Sequence, residues 1–157
     1  MRIVWLFLIA CTGNDDLGVS AGDDLADPQL PARGSEDVLT WLRAGLYTSW
    51  HCELEPHPPR MPSPHAQNRI CNNDALQLAA DGAGPYPVGS ASVKEIYGDT
   101  GVRLFAVYRK VEAGGGGDTW YWYEGIEGRT DTNAVGSDRC TGCHSRAPRD
   151  FVYTIVP

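Results

Sequence analysis

The chain has 157 residues, 42% of them hydrophobic and 21% charged, a balance that suits a single globular domain with one modest core. Its net charge is −7 and it carries no cluster of basic residues along the sequence, which argues against nucleic acid as a partner. Eighteen glycines and eleven prolines predict many turns and little long helix.

The chain begins "MRIVWLFLIAC", in which Arg2 precedes an apolar run from Ile3 to Ala10 and then Cys11. The run is too short to cross a bilayer as a helix, which needs about 20 apolar residues. Charge, apolar run and small residue in that order are the layout of an export signal. "LIAC" resembles the bacterial lipobox, so residues 1–10 are expected to be a signal peptide and Cys11 the lipidated first residue of a membrane-tethered periplasmic protein. An ordinary secretory signal with an incidental cysteine is the plainer alternative. Residues 11–34 follow with scattered leucines, five aspartates and no periodicity. Such a segment cannot bury enough to offset its ordering entropy, and is expected to tether a folded domain at 35–157.

"SEDVLTWLRAGLYTSW" predicts a helix of about three turns: Ser35 can cap it, Glu36 and Asp37 suit its positive end, and Val38, Leu39, Leu42 and Leu46 share one face. Five prolines between Pro56 and Pro64 make the next stretch a loop. "NNDALQLAADG" predicts a short second helix, from an Asn start to a stop at Gly82. "ASVKEIYG" and "VRLFAVYRKVE" around "DTG" predict an antiparallel hairpin. Within it, Leu104, Ala106 and Tyr108 face one way, while Arg103, Phe105, Val107 and Arg109 face the other. Both middles are apolar, so both faces are expected to be covered. "AGGGGD" is a loop. "TWYWYEGI" is a third strand, with Trp120 and Trp122 on one side and Tyr121 and Tyr123 on the other, and "DFVYTIV" is a candidate last strand. The fold class predicted is α+β, mostly antiparallel β: helices first, then a sheet, then a C-terminal cysteine motif.

That motif is "CTGCH", Cys140 to His144. Cys-x-x-Cys-His is the attachment sequence of haem c: two thioether bonds must reach the two vinyl groups of one porphyrin edge, and the adjacent imidazole must turn to the iron. A dithiol redox pair needs no following histidine. Zinc needs four ligands, for which Cys52, His51, His57 and His65 would have to supply a second half without finger-like spacing. The address agrees with haem, since covalent haem is attached outside the cytoplasm. Of the five cysteines, Cys11 then goes to lipid and Cys140 and Cys143 to one haem c per chain. Cys52 and Cys71 remain for a disulfide in an oxidising compartment, across the proline-rich loop from the end of the first helix to the start of the second. Two buried free thiols are the alternative.

Small electron-transfer cytochromes are helical with the motif near the start, whereas here it comes last. The order "HAQNRICNNDA", "YPVGSASVKEIY", "RLFAVYRKVEAGGGGDTWYWYEG" and "CTGCHSRAPRDFVYT" resembles the cytochrome P-460 family and its relatives, the cytochromes c′-beta, over about Asp37 to Tyr153. The resemblance implies a five-coordinate haem with His144 proximal to the iron and an open distal side. It also implies binding of small gases such as NO and CO, or oxidation of hydroxylamine. Enzymatic members carry a lysine bonded to the porphyrin. Of the two lysines here, Lys94 is the better candidate for that cross-link and Lys110 the other, with Glu95 a candidate proton acceptor beside it. A surface lysine and a strand-surface carboxylate are the plainer fates. Relatives are often homodimers, and a redox protein would exchange electrons with the haem. Met61 and His65, in the proline-rich loop, are alternative sixth ligands, which would make the protein a six-coordinate electron carrier.

Overall fold

The structure, a computed structural model, describes residues 30, 31 and 35–157. The expected signal segment 1–10, the lipidation site Cys11 and all of the 11–34 tether except Leu30 and Pro31 lie outside the described residues. No helix among the described residues is long and apolar enough to cross a membrane.

Six strands in chain order form one antiparallel meander: β1 (His51–Cys52), β2 (Asn68–Asn72), β3 (Ala91–Gly98), β4 (Gly101–Lys110), β5 (Trp120–Ile126) and β6 (Arg129–Val135). With helices α1 (Ser35–Arg43), α2 (Asp74–Gln77) and α3 (Asp138–His144), the architecture is α+β. Two-residue turns at 99–100 and 127–128 make β3–β4 and β5–β6 tight hairpins, while β1–β2, β2–β3 and β4–β5 are joined by longer segments that also return the chain antiparallel.

Strand alternation splits the side chains into two cores. Val93, Phe105, Val107, Tyr121 and Tyr123 face α1, whose Val38, Leu39, Trp41 and Leu42 are buried against them. Each fully buried aliphatic side chain here contributes about 1.5–3 kcal/mol. Leu30 joins this core, and Arg109 donates to its carbonyl at 2.6 Å, so the folded body includes part of the segment expected to be tether. On the other face Trp120 and Trp122 pack with Leu76, Tyr86 and Val152. Both faces are covered, as the apolar middle of β4 predicted.

Several local expectations are corrected. Helix α1 ends at Arg43 because Gly45 adopts φ 67°, a left-handed conformation that glycine tolerates and that terminates helices. The chain continues as a 3₁₀ turn at Leu46–Ser49, in which Leu46 is exposed and Tyr47 takes the buried position. Helix α2 is a single turn: Asn73 caps it by accepting from the Leu76 N–H, and it stops at Gln77, short of Gly82. Strand β2 went unforeseen beside the prolines. So did β6, whose "RTDTNAV" shows the polar composition of an edge strand instead of apolar alternation. "DFVYTIV" is no strand. Asp150 and Phe151 hold φ 38° and 67°, which breaks an extended path, and beyond them the tail is tied by side-chain amides: Asn72 donates to the Thr154 carbonyl and Gln77 to that of Val156.

Cys52 and Cys71 form a disulfide. They sit directly opposite each other in β1 and β2, so the bridge staples two paired strands and not the two helices. Closing a loop of that size contributes about 3 kcal/mol in the chain-entropy picture.

Glu95 is the electrostatic centre on the α1 side. Arg69 grips it with two bonds of 2.8 and 2.9 Å, Tyr97 donates at 2.6 Å and Tyr47 donates from beneath α1. Burial alone would push the Glu95 carboxyl up, but the bonds from Arg69, Tyr47 and Tyr97 outweigh it and hold the group below the ordinary carboxylate range. A depressed carboxylate stabilises the fold above its unfolded pKa of about 4.3, and that stability is lost as pH falls through the folded value. Glu95→Gln is therefore expected to lower stability at pH 7 by about 2 kcal/mol and to flatten the fall in stability between about pH 5 and 2. Urea unfolding across that range checks both, and an unchanged acid profile would refute the assignment.

Candidate functional site

Helix α3 is the cysteine motif itself, residues DRCTGCH. Residues three and four apart share one helix face, so Cys140, Cys143 and His144 point together, and all three line one cavity of about 600 Å³. The helix is brought close to the sheet by Gly117, where a β-carbon would collide with the Thr141 side chain and crowd Phe151. Both cysteines are free thiols. Burial pushes the Cys140 thiol up, opposite to the activation that a redox dithiol needs.

The His144 ring is boxed by aromatic edges, with Trp122 at 4.8 Å, Tyr153 at 5.4 Å and Tyr108 at 5.8 Å between centroids. Its Nδ1 lies 2.7 Å from the Phe151 carbonyl oxygen. A carbonyl only accepts, so Nδ1 carries the proton and Nε2 keeps its lone pair. Burial lowers the ring's pKa, the Phe151 bond raises it in part, and the nearby Lys94 charge lowers it further. The result is a neutral imidazole with a fixed tautomer, the form in which histidine ligates a metal.

The sheet supplies the cavity's long wall in registered rows. Ser92, Tyr108 and Trp122 form the row nearest His144, Lys94, Ala106 and Glu124 the next, and Ile96 and Leu104 the third. Same-face neighbours along a strand are about 7 Å apart, so the wall runs on the order of 13 Å. The proline-rich segment from Met61 to His65 closes the other side. Buried Glu53 lies just before it in the fold, accepting from the Ile70 N–H at 2.8 Å and from His57 at 2.9 Å, and forming an ion pair at 2.5 Å with Arg60, the residue that precedes the segment. His65 lines the cavity, and its pKa is lowered to about 4 by burial and by the Lys94 and His144 charges. Met61 stands at the rim and is exposed.

Basic residues ring this space. Arg60, Lys94, Arg103, Arg129, Arg139 and Arg146 line it against a single carboxylate, Glu124, in a chain whose net charge is −7. Arg60, Arg129 and Arg139 are ion-paired with Glu53, Asp131 and Glu124, and the remaining excess of positive charge in a concave site favours anions. Simple alternation predicted Arg103 on the Phe105 side. A register shift between Ile96 and Tyr97 leaves Arg103 without a partner opposite, and the bulge turns it into the cavity.

Of the candidate residues, Cys140, Cys143, His144 and Lys94 meet in this cavity. Glu95 does not: alternation sends it through the sheet to Arg69 and Tyr47, so it cannot serve as a proton acceptor beside Lys94. The carboxylate that shares the Lys94 row is Glu124, raised by burial with Arg139 opposing. Its signal was present in the sequence, because the Trp120–Trp122 alternation extends to position 124. Lys110 lies elsewhere, buried against Asp150. Among the described residues no group of three or more His, Cys, Asp and Glu side chains gathers to hold a metal ion, which leaves a four-ligand zinc site without support. No family model, curated protein or solved structure matches the chain.

Lys94 is pushed down to about 8, mainly by burial, with Glu53 opposing and Arg60 adding to the effect. The unfolded chain then binds more protons between about pH 8 and 10.4, so this group adds stability as pH rises through that window. With two lysines in the chain, carbon-13 NMR of the reductively methylated protein is expected to show one of them titrating near 8. A Lys94 midpoint at the ordinary value above 10 would contradict the burial of this amine.

Proposed function

We propose that the protein is an exported c-type haem protein of the cytochrome P-460 and c′-beta kind, which binds or transforms small nitrogen oxides such as NO and hydroxylamine. The observation that carries this is the convergence of Cys140, Cys143 and a tautomer-fixed His144 on one cavity walled by aromatic and aliphatic side chains. The fit to a haem is supported in three ways. Two thiols on one helix face suit the two vinyl groups of one porphyrin edge. The long sheet wall suits a flat macrocycle, and the arginine rim suits the carboxylates such a group carries. When bound, the haem would supply an iron able to take a small ligand.

The chain's own residues have distinct tasks in this proposal. Cys140 and Cys143 would hold the group covalently, and His144 would present Nε2 to its iron. Trp122 and Tyr108 fix the imidazole plane and exclude water from it. Lys94 faces the same cavity with a lowered pKa, and a neutral amine is the nucleophilic form, which supports the enzymatic version with a lysine cross-link. That N–C bond would replace a ring C–H, releasing two protons and giving two electrons to an external oxidant. Glu124 offers a carboxylate in the same row to hold a proton. A lipid anchor at Cys11 and a redox partner belong to the same proposal.

One observation favours a second version. His65, neutral because its pKa lies near 4, lines the same cavity as His144 and has the lone pair a sixth ligand needs, which would suit electron transfer instead of ligand chemistry. Expression of the full chain with a haem c maturation system tests these readings. The denatured band is expected to stain for haem peroxidase activity and to lose the stain in Cys140→Ser/Cys143→Ser; an unstained parent band rejects the haem. The reduced protein is expected to be high-spin and to bind CO promptly. A low-spin spectrum that becomes high-spin in His65→Ala would move the assignment to the six-coordinate carrier. Lys94→Ala is expected to alter the spectrum of the isolated protein, and an unchanged spectrum would remove the cross-linked, hydroxylamine-oxidising version.

A further inference from the structure

Lys110 is 1% exposed, and a buried ammonium persists only when its donors are met. Its side-chain partners come from the 114–120 stretch and from Asp150. It donates to the Gly114 carbonyl at 2.6 Å and to Thr119 Oγ1 at 2.8 Å, and it meets both oxygens of Asp150 at 2.8 and 3.1 Å. Its Nζ also lies 4.8 Å from the Trp120 ring centre. Asp150 in turn accepts from the Tyr86 N–H at 2.8 Å. The preceding Arg149 donates to the carbonyls of Ala79 and Gly84 and stacks over the Tyr86 ring at 3.9 Å. Two consecutive side chains thus clamp a knuckle whose next residue, Phe151, holds φ 67°. A bulky residue in that region persists only where its surroundings over-determine it.

The carbonyl delivered by this knuckle is the acceptor for His144 Nδ1. We infer that the buried Lys110–Asp150 pair is a positioning device: by locking the Asp150–Phe151 backbone it aims the Phe151 carbonyl at His144, fixing the imidazole tautomer and raising its donor strength toward a metal. The charge pair acts through the backbone and touches neither the cavity nor its occupant. Lys110 and Asp150 are absent from the residues lining the large cavity. This explains why one of only two lysines in the chain is spent in the interior, where an apolar side chain of similar length would fill the space with less desolvation cost.

The inference about metal donation rests on the proposed haem, whereas the tautomer lock does not, so two measurements separate them. The variant is Lys110→Met/Asp150→Asn, which removes both charges and leaves no unpaired ion. Should it fail to fold, Lys110→Arg, which keeps the charge pair but cannot reproduce the compact ammonium contacts to Gly114 and Thr119, carries the same readouts. Nitrogen-15 NMR of the full chain produced without haem maturation is expected to show His144 as a single Nδ1–H tautomer, and as a mixture with faster proton exchange in the variant. An unchanged tautomer in a folded variant overturns the lock, whether or not haem binds. In the haem-loaded chain, a weaker Nδ1–H bond makes His144 a poorer donor, so the reduction potential is expected to rise and the iron–histidine stretching frequency to fall. If both stay unchanged while the unfolding midpoint drops, the pair is purely structural and the inference fails. Absence of covalent haem in the parent chain would instead sink the proposed function and leave the tautomer result standing.

Discussion

Everything else in this molecule depends on β5 carrying large side chains on both of its faces. Tyr121 and Tyr123 are buried beneath α1, while Trp120 and Trp122 are buried on the opposite side. Aromatic side chains of this size each bury about 150–250 Å², so a strand with four in succession is stable only between two covering layers. One layer is the N-terminal helix. Among the described residues, the other comes from α2, α3, the tail and, across the cavity, the proline-rich segment. The motif helix is thereby committed to the Trp122 face, and His144 is driven against the Trp122 ring at 4.8 Å.

The same two-sidedness separates two electrostatic regimes within one strand. Glu95 and Lys94 are adjacent in sequence and live in different environments. Glu95 enters a closed set of donors from Arg69, Tyr47 and Tyr97, where its charge is fully answered and the fold gains from keeping it ionised. Lys94 enters a cavity already rich in arginine, where burial and Arg60 press it toward neutrality. An ion held by its partners builds structure, while a buried amine among like charges is held against its own charge. Strand parity therefore decides which of the two neighbours enters the closed donor set and which faces the cavity.

Much of this plan was legible in the sequence. Alternation in "RLFAVYRK" and "TWYWY" assigned the buried faces, the split between tyrosines and tryptophans was readable residue by residue, and two leftover cysteines formed the disulfide. The illegible parts have specific physical origins. Arg103 and Glu95 depended on where a register shift falls and on which face the cavity opens, and neither leaves a trace in composition. Strand β6 has the polar, threonine-rich character of an edge and lacks a buried stripe to announce it. The single turn of α2 was overestimated because propensity extends through "LQLAADG", while Asn73 spends its side chain on both the Leu76 and Ala91 N–H groups and so binds the turn to the sheet. The left-handed pair at Asp150–Phe151 defeated the expected last strand, since no local preference predicts φ 67° at phenylalanine.

That last departure connects fold to site. Local propensity and tertiary demand conflict at Asp150–Phe151, and such conflicts concentrate where a structure must deliver a group in a fixed direction. An extended tail would have paired its carbonyls with a neighbouring strand. The knuckle instead frees one carbonyl, turns it by backbone conformation, and offers it to the His144 imidazole at 2.7 Å. Holding that conformation requires anchors stronger than a ladder of neutral bonds, and the chain uses an ion pair of which neither partner side chain is more than 4% exposed. Placing ions there is costly in an otherwise aromatic core. The cost is intelligible when direction matters more than stability: apolar side chains could fill the space beside Trp120, but they could not dictate where the Phe151 carbonyl points.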